Sequence, residues 1–316
     1  MTPNGSPSTG LRVSIVIVNY NGRSFIRDCL HSVREFSPET TEVIVVDNDS
    51  RDGSAEIIRT EFPWVRLIES ATNLGFTGGN NLGAASASGD LLLLLNNDTV
   101  LRTPIAPALE VFREGSDIGV VGCRLIYADG SQQESIGREL TPLVLVLGWT
   151  PLSRFAAFRR TVHRDARVYG DQDVECAWVS GAFLVTRTEL WRDLGGLDTA
   201  YFMYMEDVDY CRRIRRRGFR VIYSACCTIT HLEGAGRAWI GERALLNSVD
   251  SYLVYCRKFY GRLSQIGLAV TLSIVFLARA ALYGLSHALG RDVVLNEKRL
   301  GFFRAATRLL KSVRPS

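Results

Sequence analysis

Leu91 to Leu95 is a run of five leucines that ends on Asn96, Asn97 and Asp98. Such a strand is apolar on both faces, which suits the interior of a covered, largely parallel sheet. Open α/β sheets bind ligands where their strands end. An acid at that point is placed to hold a metal ion against a phosphate. Asn and Asp also favour turns, and the run alone leaves a plain turn open.

The preceding residues repeat the pattern. Val13–Val18 reads as a buried strand, and Ser24–Phe36 carries Phe25, Ile26, Leu30 and Val33 at helical spacing. Strands are predicted at Glu42–Val46 and Val65–Ile68, and helices at Gly53–Phe62 and Gly79–Ser88. The β-α-β-α-β-α-β order opens a doubly wound α/β fold. Val120–Val121 adds a short strand. From Tyr127 to Glu175 the periodicity fails over a stretch too long for an ordinary loop. Ala182–Thr186 resumes strand character, Glu206–Arg217 reads as a helix closed by Gly218, and Phe219–Ser224 and Thr228–Thr230 as two short strands. Glu242–Tyr260 is helical in pattern.

With 316 residues, 47% of them apolar, the chain can bury a substantial core, and a disordered chain is excluded. The seven cysteines form no CxxC pair and no zinc-type cluster, as expected of free thiols. Residues 1–10 lack the charged and apolar regions of a signal peptide and read as a loose tail. Net charge is +4, with arginines 212, 213, 215, 216, 217 and 220 clustered. No recognised nucleic-acid motif accompanies them, so a phosphate-bearing substrate or an anionic membrane surface is the expected partner, not nucleic acid.

Ser264–Leu289 differs from the rest. Ile266–Ala278 carries no charge before Arg279 interrupts, an apolar run below the ~20 residues of a spanning helix. With basic residues on both sides it reads as a re-entrant or surface-lying segment. A crossing helix, a core helix or a dimer helix stays open, and with the last a homo-oligomer. Arg154, Arg159 and Arg160 lie among Phe155 and Phe158, a mixture that suits a lipid diphosphate near a membrane or an ordinary solvated loop.

Four polar constellations follow the early strands: Asn19-Tyr20-Asn21-Gly22, Asp47-Asn48-Asp49-Ser50, the segment Asn73 to Gly83, and Asn97-Asp98. An aspartate after the second strand can accept from a pyrimidine N–H or a ribose hydroxyl. Glycines opening a helix allow close backbone approach and favour an anion at its N-terminus. With VSIVIVNYNG, VIVVDNDSRDGS, NLGFTGGNNLG, LLLLLNNDT and the acidic pair of YMEDVDYCRR in this order, the chain resembles the inverting nucleotide-sugar glycosyltransferases of family 2. It is nearest the branch that adds rhamnose or galactofuranose to cell-envelope glycans.

The resemblance implies a GT-A fold, a Rossmann-like doubly wound mixed sheet. Residues 11–240 would form the catalytic domain, with a nucleotide-sugar half at 11–125 and an acceptor half at 126–240. Residues 241–316 would be a helical, membrane-associated extension. Asn19, Asp47, Asn48, Asn73, Gly78, Gly79, Asn80, Asn97 and Asp98 would line the donor pocket. The family's Asp-any-Asp metal motif begins here with Asn96, so Asp98 would be the direct ligand of a divalent Mn or Mg, with His231 as a further ligand. Asp207 would be the general base, Glu206 an acceptor-positioning group or alternative base, and Asp209 a lesser candidate. Trp178, Ser180 and Gly181 would face the acceptor. Acids in a helix's first turn and arginines in its last also simply complement the macrodipole.

The activity so implied is transfer of one sugar, L-rhamnose from dTDP-rhamnose, from a nucleotide diphosphate sugar to a lipid-linked or cell-envelope glycan. The expected location is the cytoplasmic face of the cell membrane, with the chain peripheral or shallowly inserted. A nucleotidyltransferase would carry a Gly-rich, basic loop after the first strand, where Asn19–Arg23 stands instead. A non-catalytic, membrane-associated sugar-nucleotide-binding protein is the other alternative; Asn96 gives it some support, but Asp98, Glu206, Asp207 and His231 together argue for activity. A processive synthase would carry Gln-any-any-Arg-Trp, which Gly236-Arg237-Ala238-Trp239 does not match.

Overall fold

The computed structural model describes residues 11–155, 172–232, 241–290 and 293–313. The expected tail, the Phe158–Arg160 cluster and the Gly236–Trp239 text lie outside them. Five leucines decide the centre of the fold. Strand β4 (Leu91–Asn96) has parallel β1 (Val13–Asn19) on one side and antiparallel β10 (Phe183–Arg187) on the other. Leu91, Leu93 and Leu95 enter one core layer, Leu92 and Leu94 the other, and none is more than 1% exposed. Each such burial contributes about 1.5–3 kcal/mol, so both faces of the sheet need a covering layer.

Beyond β1 lie β2 (Glu42–Asn48) and β3 (Arg66–Ser70), all parallel. Beyond β10 lie β6 (Ile118–Ile126), β11 (Arg220–His231) and, at the far edge, β5 (Thr99–Leu101). Short β8 (Val174–Glu175) also pairs with β11, and β7 (Ile136–Gly137) and β9 (Trp178–Val179) form a separate pair. Helices α1 (Ile26–Phe36), α2 (Ser54–Glu61) and α4 (Ala106–Glu114) cover one face. The other face is covered by α3 (Gly75–Ala84), α5 (Pro142–Gly148), α6 (Thr188–Asp193) and α7 (Glu206–Arg216), and by α8 (Gly241–Gly290) with α9 (Val293–Ser312).

Three expectations are corrected. Helix α3 begins at Gly75, not Gly79. A Cβ on Gly79 would sit 2.7 Å from Val18 Cγ1 and one on Gly83 2.5 Å from Val16 Cγ1, so the glycines let the helix ride close on β1. Residues 220–224 and 228–230 belong to one long strand, β11, whose register against β6 slips between Ser224 and Thr228. The arginines of α7 are spent on the protein itself. Arg212 and Arg215 pair with Glu139, Arg213 with Asp209 at 2.6 Å, and Arg220 with Glu175 at 3.0 Å. Arg212 also stacks 4.2 Å over the Phe259 ring, tying α7 to α8.

Helix α8 is interrupted at Gly261 (φ 85°, ψ 174°), a left-handed φ that glycine adopts freely. Helix α9 packs back against both arms. Arg304 and Arg308 reach Glu242 and Asp250 on the first arm, each at 2.5 Å, and Ser273 on the second donates to the Ala306 carbonyl at 3.3 Å. By length and composition α8 is apolar enough to cross a membrane, but a third of its most apolar window is buried against the protein. The opposite side is bare, with Leu263 86%, Ile274 63% and Leu282 65% exposed.

Candidate active site

The chain order sets the site. After β4 the chain leaves the middle of the sheet at Asn96–Asp98 and re-enters at its far edge as β5. There it runs antiparallel to β11, with His231 opposite Thr99. The corner is closed by Thr99 Oγ1 donating to the Asn96 carbonyl at 2.6 Å, and Leu232 N–H donates to the Asp98 carbonyl at 2.9 Å. This pairing carries His231 to the end of β4. Its Nε2 stands 3.3 Å from Asp98 Oδ1 and 3.2 Å from Asn96 Nδ2.

Gln133 was not foreseen. Its Oε1 lies 2.8 Å from His231 Nδ1, so the imidazole carries its proton there and turns the Nε2 lone pair toward the corner. Asn96 Oδ1 is buried without a partner. Exchanging the amide's two ends, which have nearly the same shape, would aim that oxygen at the same point. A carboxylate oxygen, an imidazole nitrogen and an amide oxygen form a donor set that fits Mn or Mg. Among the described residues no three His, Cys, Asp or Glu side chains converge, so the remaining ligands would come from the donor's phosphates or water.

The other donor-side residues meet where the sheet's connections diverge around β1. Asn97 Nδ2 donates to Asn19 Oδ1 at 3.0 Å, and Asn19 Nδ2 donates to Asp47 Oδ1 at 3.0 Å and Ser54 Oγ at 2.8 Å. Asn48 accepts from Leu74 N–H and donates to Asn73 Oδ1 and the Gly75 carbonyl, at 2.9, 3.1 and 3.0 Å. Asn19 and Asn48 are 0% and 1% exposed, so their amides brace the loops. Gly79 is placed against β1, as described, and Gly78 against its own Leu74. Asn80 is buried within α3, where it donates to the Phe76 carbonyl. None of these three stands at the mouth of a helix, where the glycine-rich segment was expected to put them.

The acidic pair starts α7, directly after Tyr204 and Met205, both with left-handed φ (71° and 67°). Two consecutive non-glycine residues in that region are strained, a feature that clusters at functional sites. Asp207 Oδ2 accepts from Gly181 N–H at 2.9 Å and its Oδ1 from Val208 N–H at 2.8 Å. Burial raises its pKa above the ordinary carboxylate range, and the two N–H groups pull the other way. Glu206 is raised further, by burial first and the charge of Asp207 second, and its Oε2 has no partner. Asp209 is fully buried and held by Arg213, by Lys258 at 2.7 Å and by the Tyr201 hydroxyl at 3.2 Å. It is a structural anchor, which removes it as a candidate base. Trp178 is likewise displaced from the acceptor list. Its indole is buried against Gly137 and donates to the Arg138 carbonyl at 2.9 Å, so its role here is packing.

One cavity of 370 Å³ joins the two groups. Asn96, His231 and Gln133 line one wall, and Glu206, Asp207 and Gly181 another, with Ser180 and Tyr204 also on its surface. Residues 14–169 match the family model for glycosyl transferase family 2.

The chain carries a glycosyl transferase family 2 domain.

It is 27% identical over 201 residues to the O-antigen biosynthesis protein RfbC of Myxococcus xanthus, a match over 62% of this chain and 15% of that longer protein. To the N-acetylglucosaminyl-diphospho-decaprenol L-rhamnosyltransferase of Mycobacterium tuberculosis H37Rv it is 27% identical over 235 residues, 69% of this chain and 75% of the relative. The mannosyltransferase PcManGT of Pyrobaculum calidifontis, solved with GDP-Man and Mn2+, superposes with a TM-score of 0.58 at 18% identity, over 98% of this chain and 89% of that one. At that identity the likeness speaks for the fold, which is GT-A as expected.

Proposed function

We propose that this glycosyltransferase moves a single L-rhamnose from dTDP-rhamnose to a lipid-linked glycan, with inversion, at the cytoplasmic face of a membrane. The choice of sugar and acceptor is supported by the printed activity of the mycobacterial relative. The observation that carries the mechanism is the shared cavity, lined both by Asn96 and His231, which stands 3.3 Å from Asp98, and by the Glu206–Asp207 pair.

Asp98, His231 and the Asn96 side-chain amide oxygen would hold a divalent Mn or Mg, which would supply positive charge to the departing diphosphate. Asp207, oriented by Gly181 and Val208, takes the acceptor hydroxyl's proton as that oxygen attacks the anomeric carbon from the face opposite the leaving group. Burial and then the charge of Asp207 raise the Glu206 pKa, which favours a neutral carboxyl able to donate a hydrogen bond to the acceptor. Neutral Glu206 also spares Asp207 a like charge beside it.

The test is a panel of nucleotide sugars screened by thermal protection, followed by transfer to a lipid-diphosphate-linked sugar and NMR assignment of the new linkage. A ligand at a hundredfold excess over its dissociation constant stabilises by ~2.7 kcal/mol. Protection by a different nucleotide sugar and none by dTDP-rhamnose rejects the donor, and retention of anomeric configuration rejects the base mechanism.

A further inference from the structure

A second cavity, of 430 Å³, lies away from the Asp207 pair, between the loop after α5 and the second arm of α8. Ligand pockets span roughly 300–1,000 Å³. On α8 its wall is Val275, Ala278, Arg279, Leu282, Tyr283 and Ser286. That is the i, i+3, i+4, i+7 stripe of one helical face. Ala278 and Ser286 are small, which leaves the space open. Across it stand Trp149 and Pro151. Trp149 is fixed edge-on against Phe276 at 5.1 Å and Phe302 at 6.1 Å, so the wall is preformed.

Two features give the cavity a ligand class. Its lining is largely apolar, and Leu282 within it is 65% exposed, which suits a hydrocarbon chain arriving from a bilayer. Its wall also holds one cation. Arg279 is half-buried over the Phe302 ring and donates one N–H to the Trp149 carbonyl at 2.7 Å. Among the described residues no carboxylate pairs with it. A guanidinium in this position is matched by a phosphate. Trp149 meets the hydroxyl of Tyr252, which lies close to Tyr204 on the catalytic wall.

Resting on the lipid-linked acceptor proposed above, we infer that this cavity binds the chain of an isoprenyl phosphate or diphosphate, with Arg279 on its phosphate. The lipid is then held on α8 while its sugar reaches Asp207 past Tyr252 and Tyr204.

The test is photolabelling of the full chain in neutral detergent with a diazirine-bearing isoprenyl phosphate, followed by mapping of the labelled peptides. Label is expected on residues 275–286 and 149–153, competed by unlabelled isoprenyl phosphate but by neither isoprenol nor inorganic phosphate. Ala278→Trp and, at the other end, Ser286→Phe fill the space from exposed positions. Each should lower labelling about tenfold with the melting midpoint and nucleotide binding unchanged. Arg279→Gln should abolish the preference for phosphate over alcohol, and Arg279→Lys should restore part of it. Label spread evenly over Leu263, Ile274 and Leu277 and indifferent to both filling variants overturns the site. Equal competition by the alcohol overturns the role of Arg279. Specific labelling without sugar transfer to any lipid acceptor overturns the proposed function and leaves this site standing. Transfer to lipid acceptors that both filling variants match does the reverse.

Discussion

Replacing Asp207 by Asn separates a base from a structural acid, because the two roles differ in size. In the folded protein Asp207 receives Gly181 N–H on one oxygen and Val208 N–H on the other. An amide keeps one of these bonds and turns an NH2 toward the other donor, which costs about 1–3 kcal/mol. Against this, the substitution removes a carboxylate whose charged form burial already disfavours. The net effect on stability is therefore at most ~2 kcal/mol, a few degrees in melting midpoint for a chain of this size. Loss of a general base costs ~10²–10⁴-fold in rate, or about 2.7–5.5 kcal/mol at 1.36 kcal/mol per decade. The rate effect exceeds the stability effect and appears in protein that is still folded. Initial rates at saturating donor, a nucleotide titration and a melting curve on the same preparation measure all three. Expected are near-abolished turnover, unchanged nucleotide affinity and a small midpoint shift. The wild-type rate should also fall as pH drops through the raised Asp207 pKa, since only the ionised form accepts a proton. A variant turning over within about threefold of wild type, with the same pH profile, refutes the assignment.

Asp98→Ala should weaken nucleoside diphosphate binding more than nucleoside binding and abolish any response to Mn or Mg; calorimetric titration of both ligands with and without the ion reads this, and equal losses for both reject the corner as a metal site. Glu206→Gln should raise the melting midpoint, and more so at high pH. A carboxyl whose folded pKa is raised supports the fold below its unfolded pKa and loses that support as pH rises toward the folded one, which the amide avoids; a lower midpoint at every pH contradicts this. Asp209→Ala should destabilise by about 3 kcal/mol, because it strands Arg213 and Lys258, while turnover per folded molecule changes little; a denaturant melt with active-site titration checks both. Leu263→Glu with Ile274→Glu, both on bare positions, should reduce flotation with anionic liposomes without lowering the melting midpoint.

The sheet's centre was legible because β1, β2 and β4 are buried on both faces, so their apolar runs stop where the site begins. Helix α3 was read four residues late because glycine is a poor helix former. Its glycines serve contact with Val16 and Val18, which no local pattern reveals. Asp98, His231 and the Glu206–Asp207 pair are candidates that motif order singles out. Their meeting depends on the antiparallel pairing of β5 with β11, a contact between residues 132 positions apart (231 minus 99). Gln133 stood in a stretch without periodicity, and only the fold places it behind His231. Trp178 was misplaced because a tryptophan beside small residues looks the same whether it stacks on a sugar or packs on Gly137. The arginines of α7 and Arg220 of β11 look available for a phosphate in the sequence because their partners, Glu139, Asp209 and Glu175, are distant in sequence or belong to the same helix.

The antiparallel strand β10 has a mechanical consequence. It is hydrogen-bonded to β4 on one side and β6 on the other, so the strands flanking the two catalytic walls belong to one continuous plate. There is no seam across which the halves can rotate. Opening the cleft by hinge motion would tear a ladder of backbone bonds at the centre of the protein, each exposed amide pair carrying its own penalty. Admission of substrates and escape of the spent nucleotide then fall to the loops at the rim of the cavity, outside the plate. Turnover in this enzyme is then a property of its loops.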